Sequence, residues 1–534
     1  MNFILYSDVN DGSISQSLGR PEYSYYFVLK AYRPVLESLG RVHVVQAPDE
    51  VDRLYHELRL KGEDCLFLSF TPPQKTLFDL DCPTVCVVAW EFDSIPCEYW
   101  DDDPRQDWSR VLGRHGRVIT LSSHTADAVR RALGEQFPVL VLPTPLWERF
   151  DGVRAQFPNV AVNPGTALHV NGCIIDSRIL GLSADGLIAP VPQETPPAAP
   201  VAVEVEVVEA PPLTAGRRLF IAKHYLREWL RALVGGEWRR PLFISKHYVR
   251  QCYREGLRDQ VPERLRALMA KSRPDKALPV VPPQPAPEPE RPQASLPATD
   301  QQVQFQVEGV VYVSVFNPDD GRKNWHQLIT AFCWAMRDVE DATLVLKMTQ
   351  NDLSTYYVEM LTLLSQLSPF SCRVVAMHGY LDDEEFARLY GAASFYVNAS
   401  RCEGLCLPLM EFMACGKPVI APRHTAMLDY IDEEVAFVVA SSQEPAIWPQ
   451  DSRILFRTLR HRPDWGSLKT AYQDSYRMAK ENPAGYQSMS LAAARRMQQY
   501  SSFASVQGRL RDFFELPPAS EIDGASSLAV AGNA

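Results

Sequence analysis

Residues 398–422 read NASRCEGLCLPLMEFMACGKPVIAP. The apolar run FYVNAS (395–400) that opens this stretch predicts a buried strand. It gives way to a glycine-bearing loop, Arg401 to Leu407, and then to a helix. Pro408 suits the first turn of that helix, where its missing N–H leaves no bond unmade. Gly416 stops the helix, as glycine does just past a C-terminus, and PVIAP (418–422) begins the next strand. A strand–loop–helix–strand unit of this kind presents free backbone N–H groups and the positive end of a helix dipole, a setting for a pyrophosphate. The N–H-bearing loop residues are Gly404, Leu405, Cys406 and Leu407. Two carboxylates flank the turn, Glu403 on the loop and Glu411 one turn into the helix, with seven residues between. Glu411 is placed to accept from ribose hydroxyls, as carboxylates do in dinucleotide sites, and Glu403 to reach the sugar beyond the phosphates.

The same alternation continues on both sides. VVYVSVF, TLVLKM, CRVVAMHG and AFVVA read as further strands, and NWHQLITAFCWAMRD and DEEFARLYGAA as helices. Near the N-terminus FILYS, VHVVQA, CLFLSF, TVCVVAW, RVITLS and PVLVLP are six more strand candidates with helical segments between them. Strands alternating with helices predict parallel sheets covered on both faces. The fold class expected is α/β, with two doubly wound Rossmann-like domains facing across a cleft. The expected division is 1–160 for an N-terminal Rossmann-like domain and 161–305 for an insertion. A C-terminal nucleotide-binding domain at 306–465, helices at 466–516 and a disordered tail at 517–534 complete it.

The chain has 534 residues, 46% of them hydrophobic, and a formal net charge of −11. That length exceeds one core, since cores stop growing near roughly 250–300 residues. The acidic balance argues against a nucleic-acid partner. Eleven cysteines without a CxxC pair read as reduced, buried thiols. MNFILYSDVNDG lacks a basic n-region, so no signal peptide is expected, and no stretch nears the roughly 20 apolar residues of a membrane span. A cytoplasmic protein is expected, peripheral at most on the inner face of a membrane.

The string EG-x-x-LP-x-x-E-x-MACG-x-PVI around Glu403 and Glu411 resembles the E-x7-E signature of the retaining glycosyltransferases of family four, which have the GT-B fold. The likeness covers residues 308–440 and, through architecture, 1–145. VVYVSVFNPDDGRKNWHQLITAF is similar to the family's first C-domain strand and its phosphate-clamp loop, and puts Lys323 at the clamp lysine. The family's clamp arginine stands several residues earlier, after a glycine. Here that stretch is Phe316-Asn317-Pro318; either Arg322 takes over the role or Asn317 contacts the phosphate. MHGYLDDEEFARLYGAA resembles the segment whose backbone, here at Gly379 and Tyr380, touches the nucleobase.

The resemblance implies transfer of a sugar, with retention, from a nucleotide-diphosphate sugar to a glycan or lipid-linked acceptor. Envelope polysaccharide or lipopolysaccharide assembly is the expected setting. Cationic groups aimed at the departing diphosphate stabilise the transition state before reaction, so Lys323 and Arg322 join Glu403 as the catalytic candidates. With two cations available, no metal and no cofactor is expected. Asp101-Asp102-Asp103 reads as a solvated run. Glu91 and Asp93 in AWEFDSIP and His124 in LSSHTAD are candidates for the acceptor side. A sugar-nucleotide epimerase of the same fold, or a non-catalytic sugar-nucleotide-binding scaffold, are the other readings.

Two Pro-rich stretches, about 189–212 and 273–297, bracket an internal repeat. Phe220, Ile221, Lys223, His224, Tyr225 and Arg227 recur 23 positions later as Phe243, Ile244, Lys246, His247, Tyr248 and Arg250. Residues 217–258 carry eleven basic and three acidic side chains, net +8. The basic residues fall four apart on helix faces, with Phe220, Tyr225, Trp229 and Leu233 beside the first row and Phe243, Tyr248 and Cys252 beside the second. A helical hairpin hinged at Gly235-Gly236 is expected, suited to an anionic membrane surface or an acidic protein partner.

Overall fold

The computed structural model describes residues 1–10, 12, 14, 23–183, 214–234, 241–253 and 296–517. The Gly235-Gly236 joint, nearly all of both Pro-rich stretches and residues 518–534 of the expected tail lie outside the described residues. The chain divides into two compact units, Met1–Ala189 with Ser295–Ala534, and Pro190–Ala294.

In the larger unit the first sheet comprises β1 (Asn2–Tyr6), β2 (Arg41–Val44), β3 (Cys65–Ser69), β4 (Thr84–Val88), β5 (Val118–Thr120) and β6 (Val139–Val141). Their order is β2-β1-β3-β4-β5-β6, all parallel. Fully buried runs such as Val85–Val88 need no alternation because helices cover both faces. The edge strand β2 is half-exposed.

The second sheet comprises β7 (Asn163–Asp176), β8 (Gln301–Phe316), β9 (Ala342–Met348), β10 (Arg373–Tyr380), β11 (Phe395–Val397), β12 (Val419–Pro422) and β13 (Ala436–Val439). Parallel pairings run β10-β9-β8-β11-β12-β13, a Rossmann order whose direction reverses between β8 and β11. The two-domain α/β expectation therefore holds.

Strand β7 departs from the expected division. Residues 161–305 were expected to stand apart, yet β7 runs antiparallel to the first half of β8 and to β10, pairing Leu168 with Phe305 and Ile175 with Ala376. Leu168, Val170, Phe305 and Val307 are buried in the core that also holds Phe3 and Val313. The insertion thus springs from the middle of a β-hairpin. Its register demands glycine: Gly379 (φ +128°) faces Gly172, and a Cβ on Gly379 would meet the carbonyl oxygen of Asn171 at 2.2 Å.

A second antiparallel pair, β14 (Ser441–Ile447) and β15 (Arg457–Pro463), follows β13. Helices Trp465–Glu481, Pro483–Ser501 and Phe503–Phe513 follow. The first packs Leu468 and Tyr472 on the second sheet's core. The last returns to the first sheet, where Gln507 donates to Ser38 Oγ at 2.8 Å and Phe514 contacts Phe3 with ring centroids 5.8 Å apart.

In the smaller unit the repeat forms the helices Ala215–Val234 and Pro241–Cys252. They meet through Tyr225 and Tyr248, ring centroids 6.5 Å apart, and through Trp229 Nε1, which donates to Ser245 Oγ at 2.9 Å.

Candidate active site

The loops leaving β8 and β11 stand side by side at the reversal point of the second sheet, where α/β sheets bind ligands. In the first, Asn317 Oδ1 accepts from Asp319 N at 3.1 Å and Asp320 Oδ1 from Arg322 N at 3.3 Å. These bonds wind Gly321–Lys323 into one 3-10 turn, ended by Asn324 in the left-handed region at φ 54°. Asn324 Nδ2 donates to Ala399 O at 3.1 Å and Arg401 N to Arg322 O at 2.7 Å, locking the two loops together. Asn317 thus spends its oxygen on the turn, and Arg322 and Lys323 are the groups aimed at the second loop.

Both converge on Glu403. Lys323 Nζ lies 2.7 Å from Oε1 and Arg322 Nη1 2.8 Å from Oε2; Arg322 Nη1 also donates to Cys402 O at 3.0 Å. Glu403 is only 3% exposed. Burial pushes its pKa up, but Lys323 and Arg322 outweigh that and hold it well below the usual carboxylate range. Arg322 Nε also sits 2.8 Å from Asp320 Oδ2 and 3.5 Å from Glu91 Oε1. Glu403 was expected to stand open to the sugar; both its oxygens hold cations instead, because a buried carboxylate needs partners. Glu91, expected on the acceptor side, is instead in ion-pair range of Arg322. Burial pushes its pKa up, against the pull of Arg322.

The second loop ends at Cys406, left-handed at φ 65°, and the helix runs Leu407–Ala414 with Pro408 in its first turn. Gly416 closes it at φ +76°. Gly404 abuts the first sheet: a Cβ there would meet Trp90 N at 3.0 Å. Leu405 O accepts from Tyr430 OH at 2.7 Å, and Asn398 Nδ2 donates to Cys406 Sγ. Glu411 Oε2 accepts from Tyr390 OH at 2.9 Å, and Oε1 lies 3.6 Å from Arg149 Nη1. Burial pushes Glu411 up, opposed by Arg149. Tyr380, 50% exposed, stands at the end of β10. Gly379 is a glycine that the β7 register requires.

Asp93, expected on the acceptor side, turns its carboxylate to the second antiparallel pair. Its Oδ1 accepts from Thr458 Oγ1 at 2.7 Å and from Leu459 N at 2.9 Å, both on β15. The β14–β15 hairpin is a clasp between the sheets. At its tip Trp448 enters a nest with Trp90, Trp100 and Trp108, ring centroids 5.4, 6.2 and 5.9 Å away. Arg453 Nη1 reaches Glu98 at 2.9 Å. Ser123 N donates to Asp429 Oδ2 at 2.8 Å, so a carboxylate from the turn after β12 meets the first N–H of the helix Ser123–Leu133 beside the first sheet. His124, next in that helix, has a buried Nε2 without a partner. Burial lowers its pKa, aided by Arg131.

Sequence reading missed Asp320, Arg149, Tyr390 and the clasp. Asp320 was findable, since Asp-Gly before a basic pair signals a capped turn. Arg149 and Tyr390 meet Glu411 only through tertiary packing, and SSQEPAIWPQDS carries no strand alternation.

Residues 308–450 match the model of the family Glycosyl transferases group 1. A stretch of 55 residues is 38% identical to O-antigen chain mannosyltransferase B of Escherichia coli; it covers 10% of this chain and 14% of that protein's length. The chain is similar to the crystal structure of Anabaena Alr3699/HepE in complex with UDP-glucose, at 12% identity and a TM-score of 0.43 over 96% of this chain and 99% of that one. It is also similar to a glycosyltransferase from Rickettsia africae ESF-5, at 9% identity and a TM-score of 0.46 over 96% and 98% of the two chains. The family match falls on the segment that carries Lys323, Arg322, Glu403 and Glu411.

Proposed function

We propose that a group 1 glycosyltransferase donor half with this geometry moves a sugar, with retention, from a nucleoside-diphosphate sugar to a glycan or lipid-linked acceptor. Envelope polysaccharide or lipopolysaccharide assembly is the setting. The observation that carries the reading is the convergence of Lys323 and Arg322 on Glu403 at the sheet's reversal point, beside the helix N-terminus at Pro408.

In transfer, the bond from the anomeric carbon to the phosphate oxygen breaks and the electron pair leaves with the diphosphate. A bond from the acceptor hydroxyl oxygen forms on the same face, and its proton passes to the departing phosphate oxygen. Lys323, Arg322 and the helix N–H groups are fixed before that charge develops, which is how preorganised electrostatics lowers a barrier. Glu403 is then chiefly a positioning residue that holds both cations in aim. Glu411 accepts from the ribose. With two cations so placed, no metal is required. For the acceptor, a cavity of about 620 Å³ opens at the carboxyl ends of the first sheet's strands. Tyr6, Asp8, Lys75, Trp100, Asp103 and Trp448 are among its lining residues, a mix of apolar edges and charged groups suited to sugar hydroxyls.

The test incubates the purified chain with a panel of sugar nucleotides and acceptor glycans, with and without a chelator. Products are separated by mass and the new linkage is assigned by NMR. Transfer with retained configuration, indifferent to the chelator, is expected. Isomerised donor without transfer would mean an epimerase, and donor bound but unchanged would mean a scaffold.

A further inference from the structure

The helix Ala215–Val234 turns one side to its partner helix and leaves the other bare. Ile221, Tyr225, Glu228 and Trp229 are only partly exposed and lie toward the helix Pro241–Cys252, where Tyr225 meets Tyr248 and Trp229 meets Ser245. Leu219, Leu226 and Leu230, spaced seven and four apart, fall on one line of the opposite side. Their exposures are 72%, 54% and 48%. Lys223 lies on the same line, with Phe220 (73% exposed) and Arg227 beside it. On the second helix Val249 is 69% exposed, next to exposed Arg250. Sequence reading set Tyr225 and Trp229 beside the basic row; they form the packed face instead, and a row of leucines takes their place.

Bare leucines and a phenylalanine interleaved with lysine and arginine form an unusual surface. Leucines on a helix in water normally pack against something. A solvated face would carry the charges without the leucines, and a salt-bridging protein contact would not need the apolar line. Long basic side chains beside apolar ones can bury their stems and lift their charges to a headgroup layer. Among the described residues no helix is long and apolar enough to cross a membrane. A helix of 20 residues, about 30 Å long, would lie in the surface instead. The charge fits too: residues 217–258 are net +8 in a chain of net −11.

We infer that the helix Ala215–Val234 is a membrane-surface element that inserts Leu219, Phe220, Leu226 and Leu230 into an anionic lipid layer, with Lys223 and Arg227 on the headgroups. The inference stands apart from the transfer reaction and needs no substrate.

The full chain is mixed with phosphatidylglycerol–phosphatidylcholine vesicles and with pure phosphatidylcholine vesicles, then sedimented at low and high salt. The anionic vesicles should carry it down, the neutral ones should not, and salt should weaken the binding. Lys223→Glu with Arg227→Glu should weaken binding by at least about fivefold per position, the worth of one basic residue at such a surface. Leu226→Glu with Leu230→Glu should weaken it comparably while leaving every basic residue in place. Circular dichroism and the thermal midpoint verify that each variant is folded. A full chain that stays in solution with anionic vesicles overturns the proposal. So does a leucine pair whose loss changes nothing, which would leave charge adsorption or an acidic protein as the partner.

Discussion

Lys323 Nζ and Glu403 Oε1 lie 2.7 Å apart in a setting where Glu403 is almost wholly buried and Lys323 only partly so. Three carboxylates, Glu91, Asp320 and Glu403, crowd Arg322, whereas among the described residues Lys323 pairs with Glu403 alone. The two cations should therefore fail differently. Lys323→Ala should lower kcat by about two to three orders of magnitude, as loss of one preorganised charge does, with a modest effect on stability. Arg322→Ala should cost about 3–5 kcal/mol of stability, because it strands buried carboxylates. Urea titration and single-turnover kinetics separate the two; equal stability losses would contradict the asymmetry.

Glu411→Ala should weaken binding of the free nucleoside diphosphate by about 1–3 kcal/mol, the range for a lost charged hydrogen-bond partner. Tyr390→Phe removes the hydroxyl that orients Glu411 and should cost less. Calorimetry measures both. Undiminished affinity in Glu411→Ala would remove this glutamate from the donor site.

Lys347, at the end of β9, is 2% exposed and donates to Met348 O at 2.7 Å. Burial pushes its pKa down to about 7. Between that value and the unfolded 10.5 the unfolded chain holds a proton that the folded chain lacks, so stability rises with pH across this window. Lys347→Met should stabilise the protein at pH 6 by on the order of 5 kcal/mol, from 1.36 kcal/mol per pKa unit. The gain should fade as pH climbs toward 10. Urea midpoints of both proteins across pH 6–10 decide it, and a gain independent of pH would show that the lysine keeps its proton in the folded chain as it does in the unfolded one.

The clasp makes the distance between the sheets a measurable quantity. Trp448→Ala empties the centre of a four-tryptophan nest and should cost about 3–5 kcal/mol. Asp93→Ala removes two hydrogen bonds to β15 and should cost about 1–3 kcal/mol. Small-angle scattering should report a larger radius of gyration for Trp448→Ala at temperatures where it remains folded. An unchanged radius would mean that the helices after Trp465 suffice to hold the sheets.

The readable parts of the fold were those governed by short-range chemistry. Val85–Val88 declares a buried parallel strand by composition, and Pro408 and Gly416 declare the ends of one helix by backbone geometry. Glu403, Arg322 and Lys323 could be singled out because the two loops that carry them follow legible strands. Their mutual neutralisation could not, since it depends on two loops 80 residues apart meeting at the right height. β7 was invisible for a similar reason: its partner strand β8 starts beyond both Pro-rich stretches. Asp93 sat where a cleft residue should, but its actual partner is a hairpin with no alternation to announce it.

The insertion's origin within the β7–β8 pair has a consequence for the order of the chain itself. Gly172 pairs with Gln301, so everything from Ser183 to Leu296 connects two strands that already touch. Near the two ends of the described chain, Phe3 and Phe514 are in ring contact. The host fold is therefore close to a ring, with one junction bridged by a long connection and the other by a short gap. Closing a long connection costs little more than closing a moderate one, because that entropy grows only with the logarithm of length. A circularly permuted chain, opened between residues 184 and 213 and joined by a short linker from Leu516 to Met1, should reach the same two sheets, with Lys323 and Glu403 still paired.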